Sequence, residues 1–275
     1  MGDMSVIADN ALDPLVDLSL QVGILRARKV DVVIGQEPSF SVQVTLGGET
    51  WASDTLQGLD VWNVGNTTWF DIPDDQYNIS VTISVLEDGQ IMDISPQEDT
   101  LSITYNMLTG DWTGDDFLRD DSGYGHASGT EDGEITNQDY EIWFDIYFND
   151  YDGDGLTYWE EVNVYETDPQ EDDAGIDYDN DGIPIEWEDH WGYDPLRANS
   201  HATLDPDQDG LQNIEEYMMR SWLADPFRQD IYIEVDIMAP SEDGICHELP
   251  QDSIQYLYST YTPHDTMLLI DDGKM

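Results

Sequence analysis

The sequence predicts a multidomain, β-rich chain: an antiparallel β-sandwich, then an array of repeated loop–helix units, then the start of an α/β unit. Three observations carry this. Apolar and polar residues alternate in several short runs before residue 149. An acidic motif recurs three times between residues 149 and 228. From residue 229 a strand-like run, a helix-like run and a second apolar run follow in order. The expected boundaries are 1–15 for a leading segment, 16–148 for the sandwich, 149–228 for the repeats and 229–275 for the α/β segment.

Within the sandwich, Ser39–Gly48 alternates, with Phe40, Val42 and Val44 on one face and a Gly47-Gly48 turn at its end. Tyr77–Gly89 repeats the device: Ile79, Val81, Ile83 and Val85 share a face, and Asp88-Gly89 supplies the turn. Thr100–Met107 and Glu141–Phe148 read likewise. Several short strands at such spacing indicate a sandwich. Between the last two, glycines and polar residues near 120–134 predict a long mobile loop.

The final zone opens on a run in which Ile231, Ile233, Val235 and Ile237 alternate. A helix is expected near Pro250–Tyr261, followed by apolar Met267–Ile270. Strand, helix, strand is the opening of a crossover unit. Two strands in so short a stretch are hard to stabilise alone, so the natural chain is expected to continue beyond Met275.

Composition narrows the function classes. The chain has 275 residues, 39% of them apolar, and nine tryptophans, which argues for folded domains. Against 61 acids stand 8 lysines and arginines, a formal charge of -53. Such a chain repels nucleic acid, and repels anionic lipid unless a cation intervenes. A single cysteine, Cys246, excludes an intrachain disulfide framework. No apolar run is long enough to span a bilayer. The first residues lack the basic-then-apolar plan of a leader peptide.

Aligned on a glycine, the repeated motifs begin at Asp150, Asp177 and Asp205, spaced 27 and 28 residues apart. Each is trailed by an Asp-Pro pair: Asp168-Pro169, Asp194-Pro195 and Asp225-Pro226. Positions 1, 3 and 5 are aspartate throughout: Asp150, Asp152, Asp154; Asp177, Asp179, Asp181; Asp205, Asp207, Asp209. Position 6 is glycine and position 12 is glutamate: Glu161, Glu188 and Glu216. Alternate side chains of a curled loop converge, and a hard cation such as Ca2+ takes six to eight oxygens at about 2.3–2.6 Å. The position-7 carbonyls of Leu156, Ile183 and Leu211 would join them once the glycine allows the turn. At position 9 only Asn213 offers an amide oxygen, where Tyr158 and Ile185 would leave the place to water. The expectation is about three calcium ions. Mg2+ prefers tighter octahedral sites, and zinc or copper would want His or Cys, which the loops lack. Helical residues are expected on the exit of each loop but not on its entry, so the units are not EF-hands.

These loops resemble the thrombospondin type-3-like calcium repeats of secreted bacterial and archaeal proteins, with Asp-x-Asp-x-Asp-Gly cores and a trailing Asp-Pro. The run Glu37–Trp51 with the later Ile83–Gly89 turn resembles the C-two-type calcium and lipid sandwich, which implies Asp31, Glu87, Asp88 and Asp93 as candidates at one end. The tail from Asp230 to Gly273 resembles the start of a domain found in archaeal secreted proteins of zinc-metallopeptidase type.

No catalytic motif is legible. The only His-Glu pair, His247-Glu248, is followed by Pro250 and Gln251 where a zinc helix would place its second histidine. His126, His190 and His201 read as packing or capping residues. The expected function is a calcium-binding extracellular or cell-surface protein whose loops stiffen the link between a sandwich and a following domain. Cytosolic calcium would be too scarce for such loops, and a cell-surface or protein partner is left open. Alternatives are the non-catalytic leading part of a secreted metallopeptidase and a calcium-dependent lipid-binding module.

Overall fold

The computed structural model describes residues 12–30, 37–95, 99–116, 123–136, 138–197, 201–236, 249–264 and 266–271. Two antiparallel sheets face each other and form the sandwich. The first has the order β11 (Gly125–Ser128), β12 (Tyr140–Phe148), β1 (Ser19–Lys29), β5 (Asp60–Asn66), with β6 (Phe70–Asp71) also on β1. The second runs β10 (Trp112–Gly114), β9 (Leu101–Asn106), β7 (Asn78–Glu87), β2 (Ser39–Leu46), β3 (Glu49–Ala52). The short β4 (Leu56–Gln57) and β8 (Gln90–Met92) pair with β2 and β7.

The alternation read from the sequence is what makes the core. Phe40, Val42, Val44 and Leu46 of β2 and Ile79, Val81, Ile83 and Val85 of β7 are all buried. They meet Leu20, Val22, Ile24, Ile142 and Phe144 from the opposite sheet. Period-two alternation sends one set of side chains inward, and its partner set faces water on β7.

Strand β1 does not alternate, and its pairing explains why. The register with β12 and β5 shifts between Ile24 and Arg26. The bulge at Leu25 swaps the faces, so Arg26 and Arg28 point out of the sandwich. That outer face is covered too: Trp143, Leu223, Met267 and Leu269 pack there with Trp62, Tyr124 and Trp222. A strand buried on both faces loses its sequence signature.

The two arginines are held by opposed acids. Arg26 donates to Asp60 at 2.8 and 2.7 Å and lies between Trp62 and Trp143, 4.4 and 4.6 Å from the ring centres. Arg28 donates to Glu141 through Nε at 2.8 Å and through a second nitrogen, and its third reaches the Leu268 carbonyl at 3.1 Å. Glu141 also meets His126 Nε2 at 3.1 Å and accepts from Thr262 Oγ1 at 3.2 Å. Arg228 stands 3.7 Å away. One carboxylate thus joins the sandwich, the end of the repeats and the C-terminal segment. Burial opposes its charge, but Arg28, His126 and Arg228 outweigh it and hold Glu141 well below the usual carboxylate range. Burial, aided by Arg228, pushes His126 down to about 3, so the ring stays neutral.

The stretch read as a mobile loop near 120–134 is corrected here over its described part. Gly125–Ser128 is a fully buried strand, and Gly129–Asp132 is a capped 3-10 turn. Its glycines serve close packing: a Cβ on Gly125 would lie 2.1 Å from the Phe144 ring, and one on Gly129 2.6 Å from the Asp93 carbonyl. Spacing alone cannot tell a glycine kept for packing from one kept for a turn.

Strand β13 (Asp230–Glu234) pairs in parallel with β14 (Met267–Asp271), and a helix (Gln251–Tyr261) lies between them in sequence. Pro250 is that helix's N-cap, where a missing N–H costs nothing. Its Ile254 and Tyr258 pack on Leu268 and Ile270. Among the described residues no helix is long and apolar enough to cross a membrane.

Candidate metal centres

Each acidic loop folds through a similar set of hydrogen bonds. In the first two, the position-1 aspartate turns inward on the loop's own amides: Asp150 accepts from Gly153 and Gly155, and Asp177 from Asn180 at 2.6 Å and Gly182 at 2.9 Å. Position 4 takes the left-handed conformation in all three, at Gly153, Asn180 and Gln208 (φ 85°, 65° and 64°). Position 6 goes further, to φ 90°, 103° and 105° at Gly155, Gly182 and Gly210, where a Cβ would be strained.

The position-5 aspartates each use two oxygens for two purposes. One accepts the position-7 amide: Leu156 on Asp154 at 2.8 Å, Ile183 on Asp181 at 3.1 Å, Leu211 on Asp209 at 2.7 Å. The other accepts a backbone amide from the next unit: Asp173 at 3.2 Å, Ala202 at 3.3 Å and Asp230 at 3.0 Å. Every loop is therefore stitched forward, and the last stitch holds the first residue of β13.

Short helices leave the loops: α1 (Tyr158–Glu160) passing into a π turn (Glu161–Tyr165), α2 (Ile185–His190) and α3 (Asn213–Met219). The helix between β13 and β14 is α4. Capping decides which of two adjacent glutamates faces the loop. Glu160 bonds back to the Thr157 amide at 3.1 Å and Glu215 to the Gln212 amide at 3.0 Å, as a capping box requires. That leaves the next residue, Glu161 or Glu216, to turn inward. Glu161, Glu188 and Glu216 are 1%, 0% and 1% exposed.

Among the described residues, ligand atoms converge in three places. Asp152, Asp154 and Glu161 form one group, Asp179, Asp181, Glu188 and His201 a second, and Asp205, Asp207 and Asp209 a third, each with its atoms within 4.8 Å of one another. Two ligands on opposite sides of a calcium ion stand roughly 4.6–5.2 Å apart at usual bond lengths. Asp150 and Asp177 stay outside their groups, committed to loop amides. Glu216 stands outside the third, although Asp209 and Asp207 are the strongest charges acting on it. Asn213, at position 9, is buried with neither amide atom hydrogen-bonded.

The carboxylates are costly where they are. Both oxygens of Asp152 and of Glu216, and Oε2 of Glu188, are buried without a hydrogen-bond donor. Burial first, and then the neighbouring loop aspartates, push Glu161, Glu188 and Glu216 up to about 8. Asp207 is pushed to about 7 by burial, with Asp209 and Asp205 adding to it. Orphaned buried acids of this kind fit a cation of high charge that accepts oxygen ligands.

A pH dependence follows for the metal-free chain. Because these carboxyls titrate higher folded than unfolded, the folded chain holds protons that the unfolded chain releases between about pH 4.5 and 8. Their contribution is complete below that window and is lost as pH rises through it. In chelator, the thermal midpoint is expected to fall steadily from about pH 5 to about pH 8, and saturating calcium should flatten the decline. A midpoint in chelator that rises over this range contradicts the arrangement.

His201 was not legible as part of a site. It lies outside the 12-residue loop, and a 3-10 turn (His201–Thr203) brings it in. The sandwich-end candidates behave differently. Glu87 pairs with Lys29, Asp88 sits in the β7–β8 turn at φ 51°, and Asp93 bridges to Asp139. None of them enters a converging group among the described residues. Asp31 lies outside the described residues, as do Cys246 and His247.

The sandwich and its three acidic loops define a β-rich protein with acidic clusters suited to a metal ion. No protein-family model matches the chain, and no curated protein matches it. Among solved structures, a C2 domain-containing protein from a putative elicitor-responsive gene is similar over 46% of this chain and 85% of its own, at 15% identity and a TM-score of 0.28. A C2 domain of plant Extended Synaptotagmin 1 is similar over 50% of this chain and 97% of its own, at 11% identity and a TM-score of 0.29. A calcium-bound pair of C2 domains from Extended-Synaptotagmin 2 shares 12% identity over 49% of this chain and 43% of its own, with a TM-score of 0.30. At these scores the likeness decides nothing about ligand or partner.

Proposed function

We propose that this is a calcium-binding extracellular or cell-surface protein whose three loops act as staples between the sandwich and the β13–α4–β14 segment. The observation that carries the reading is the double use of Asp154, Asp181 and Asp209. Each belongs to a converging ligand group and also holds the amide of the following unit. Filling a loop therefore stiffens a joint, and binding energy becomes folding energy. The units resemble thrombospondin type-3-like repeats in this respect, the ions acting beside a small apolar cluster of Ile183, Trp187, Trp191 and Ala202. Affinities of about 10⁻⁵ to 10⁻³ M suit the calcium levels outside cells.

Three divalent ions neutralise only six of the 53 net negative charges. The other 47 (53 less 6) have no counter-charge in the chain, since the 53 is already net of the eight basic residues, and four of those, Arg26, Arg28, Lys29 and Arg228, are buried. Titration calorimetry with an ion count is the test. About three calcium ions per chain are expected, with fewer in single Asp152→Asn, Asp179→Asn or Asp207→Asn variants. A chain that takes up no calcium, or takes it up equally in all variants, ends this reading.

A second reading has calcium bridging the sandwich to anionic lipid. It is favoured by the sandwich fold and by Ile91, 47% exposed on the β7–β8 hairpin beside the Asp88 turn. Pelleting with phosphatidylserine vesicles, with and without calcium, separates the two. Calcium-dependent pelleting lost in Ile91→Ser supports the second; calcium uptake without pelleting supports the first.

A further inference from the structure

The converging group of the middle loop alone among the three includes an imidazole, and we propose that its preferred ion is a divalent transition ion of the zinc class rather than calcium. This rests on the loops being cation sites and changes the ion at one of them. Asp179, Asp181, Glu188 and His201 place one ligand atom each within 4.8 Å of one another. His201 Nε2 is 3.1 Å from Asp181 Oδ2 and in contact with Glu188 Oε1. Glu188 and His201 are 0% and 1% exposed, and Glu188 Oε2 has no donor. Three carboxylates and an imidazole are thus gathered around one point, two of the four fully shut away from water.

The histidine is aimed by its surroundings. Its ring stacks on Tyr193 at 5.2 Å and 11°, and Tyr193 stacks in turn on Trp187 at 5.9 Å and 5°. The stack fixes the plane of the imidazole. The following residue, Ala202, donates its amide to Asp181. In the outer loops the amide in that place belongs to an acid, Asp173 or Asp230. Among the converging groups of the described residues, only the middle one includes a nitrogen. Calcium takes hard oxygen donors, whereas imidazole suits zinc, iron and nickel, and affinity along the first row favours the later ions.

The test titrates Co2+, a spectroscopic stand-in for zinc, into the full chain already saturated with calcium. One cobalt is expected to bind per chain, to release one calcium and to show a visible absorption band that zinc abolishes. His201→Ala should weaken cobalt by at least roughly 10–100-fold, and His201→Asp should return the site to calcium. Against a folding defect in the variants, the 15N shift of His201 Nε2 on adding zinc to the unaltered chain gives an independent readout. Weak cobalt uptake by surface acids, unchanged in His201→Ala, overturns the proposal. So do three retained calcium ions with an unmoved His201 resonance, which would make the ring a packing neighbour of Glu188 and leave the calcium reading standing. Cobalt uptake dependent on His201 in a chain whose outer loops take no calcium upholds this proposal and removes the other.

Discussion

Stripping divalent ions from the chain at neutral pH is expected to lower its thermal midpoint by about 15–30 °C. Each loop held at a hundred times its dissociation constant contributes ~2.7 kcal/mol. Three such loops add ~8 kcal/mol, and each kcal/mol moves the midpoint of a chain this long by about 2–4 °C. The effect is large because removal leaves more than an empty loop. It leaves buried Glu161, Glu188 and Glu216 beside the loop aspartates, so the chain must take up protons or open. Magnesium at the same concentration should restore much less, since it gives up water reluctantly and demands six tightly placed ligands. The triple variant Asp152→Asn, Asp179→Asn, Asp207→Asn should remove the difference between calcium and chelator. Differential scanning calorimetry in matched buffers checks this. A shift under about 3 °C, the equivalent of roughly one kcal/mol, or the same shift in the triple variant, would refute the stapling role.

The second large effect is expected far from the loops. Glu141→Gln keeps the shape but removes the charge that faces Arg28, Arg228 and His126, all buried. Breaking a buried pair from one side leaves an uncompensated charge and costs ~3–5 kcal/mol. The loss should appear in calcium and in chelator alike, because none of these groups belongs to a loop. Urea unfolding followed by tryptophan fluorescence reads it in both conditions. If the cost is below ~1 kcal/mol in both, well short of a broken buried pair, the network does not hold the C-terminal segment to the sandwich.

The two predictions separate two ways of joining the same segments. Along the chain the units are tied by aspartates that also converge on cation sites. Across the chain, Arg28 and Glu141 reach Leu268 and Thr262, more than 100 residues away in sequence. The first joint should respond to calcium and pH, the second to neither over the neutral range.

Much of this was open to reading from the residues, and what was hidden was hidden for stated reasons. Strands β2 and β7 alternate because one face is wet, so Phe40 to Leu46 and Ile79 to Val85 announced themselves. Strand β1, central to its sheet, did not: the bulge at Leu25 breaks its period and both faces are covered. The convergence of Asp152 with Asp154, of Asp179 with Asp181 and of Asp205 with Asp207 and Asp209 could be anticipated because these aspartates lie within 12 positions of each other, where local backbone geometry alone can bring them together. Glu161 and Glu216 were preferred to their neighbours because the second copy carries Trp187, not an acid, at the preceding position; the caps that occupy Glu160 and Glu215 appear only in the structure. His201 was not legible, because it meets Glu188 only where a 3-10 turn and an aromatic stack set its ring against the middle loop.

By itself, then, the sequence determined the β-sandwich, the acidity, and the spacing that curls three loops around their own carboxylates. Tertiary structure alone decided that Arg26 and Arg28 are buried, that the glycines near residue 125 pack against Phe144 and Asp93, and that one loop acquires an imidazole. The physical reason is range: periodicity and loop geometry act between residues a few positions apart, whereas burial and shared ligands depend on which distant segments come to lie against each other.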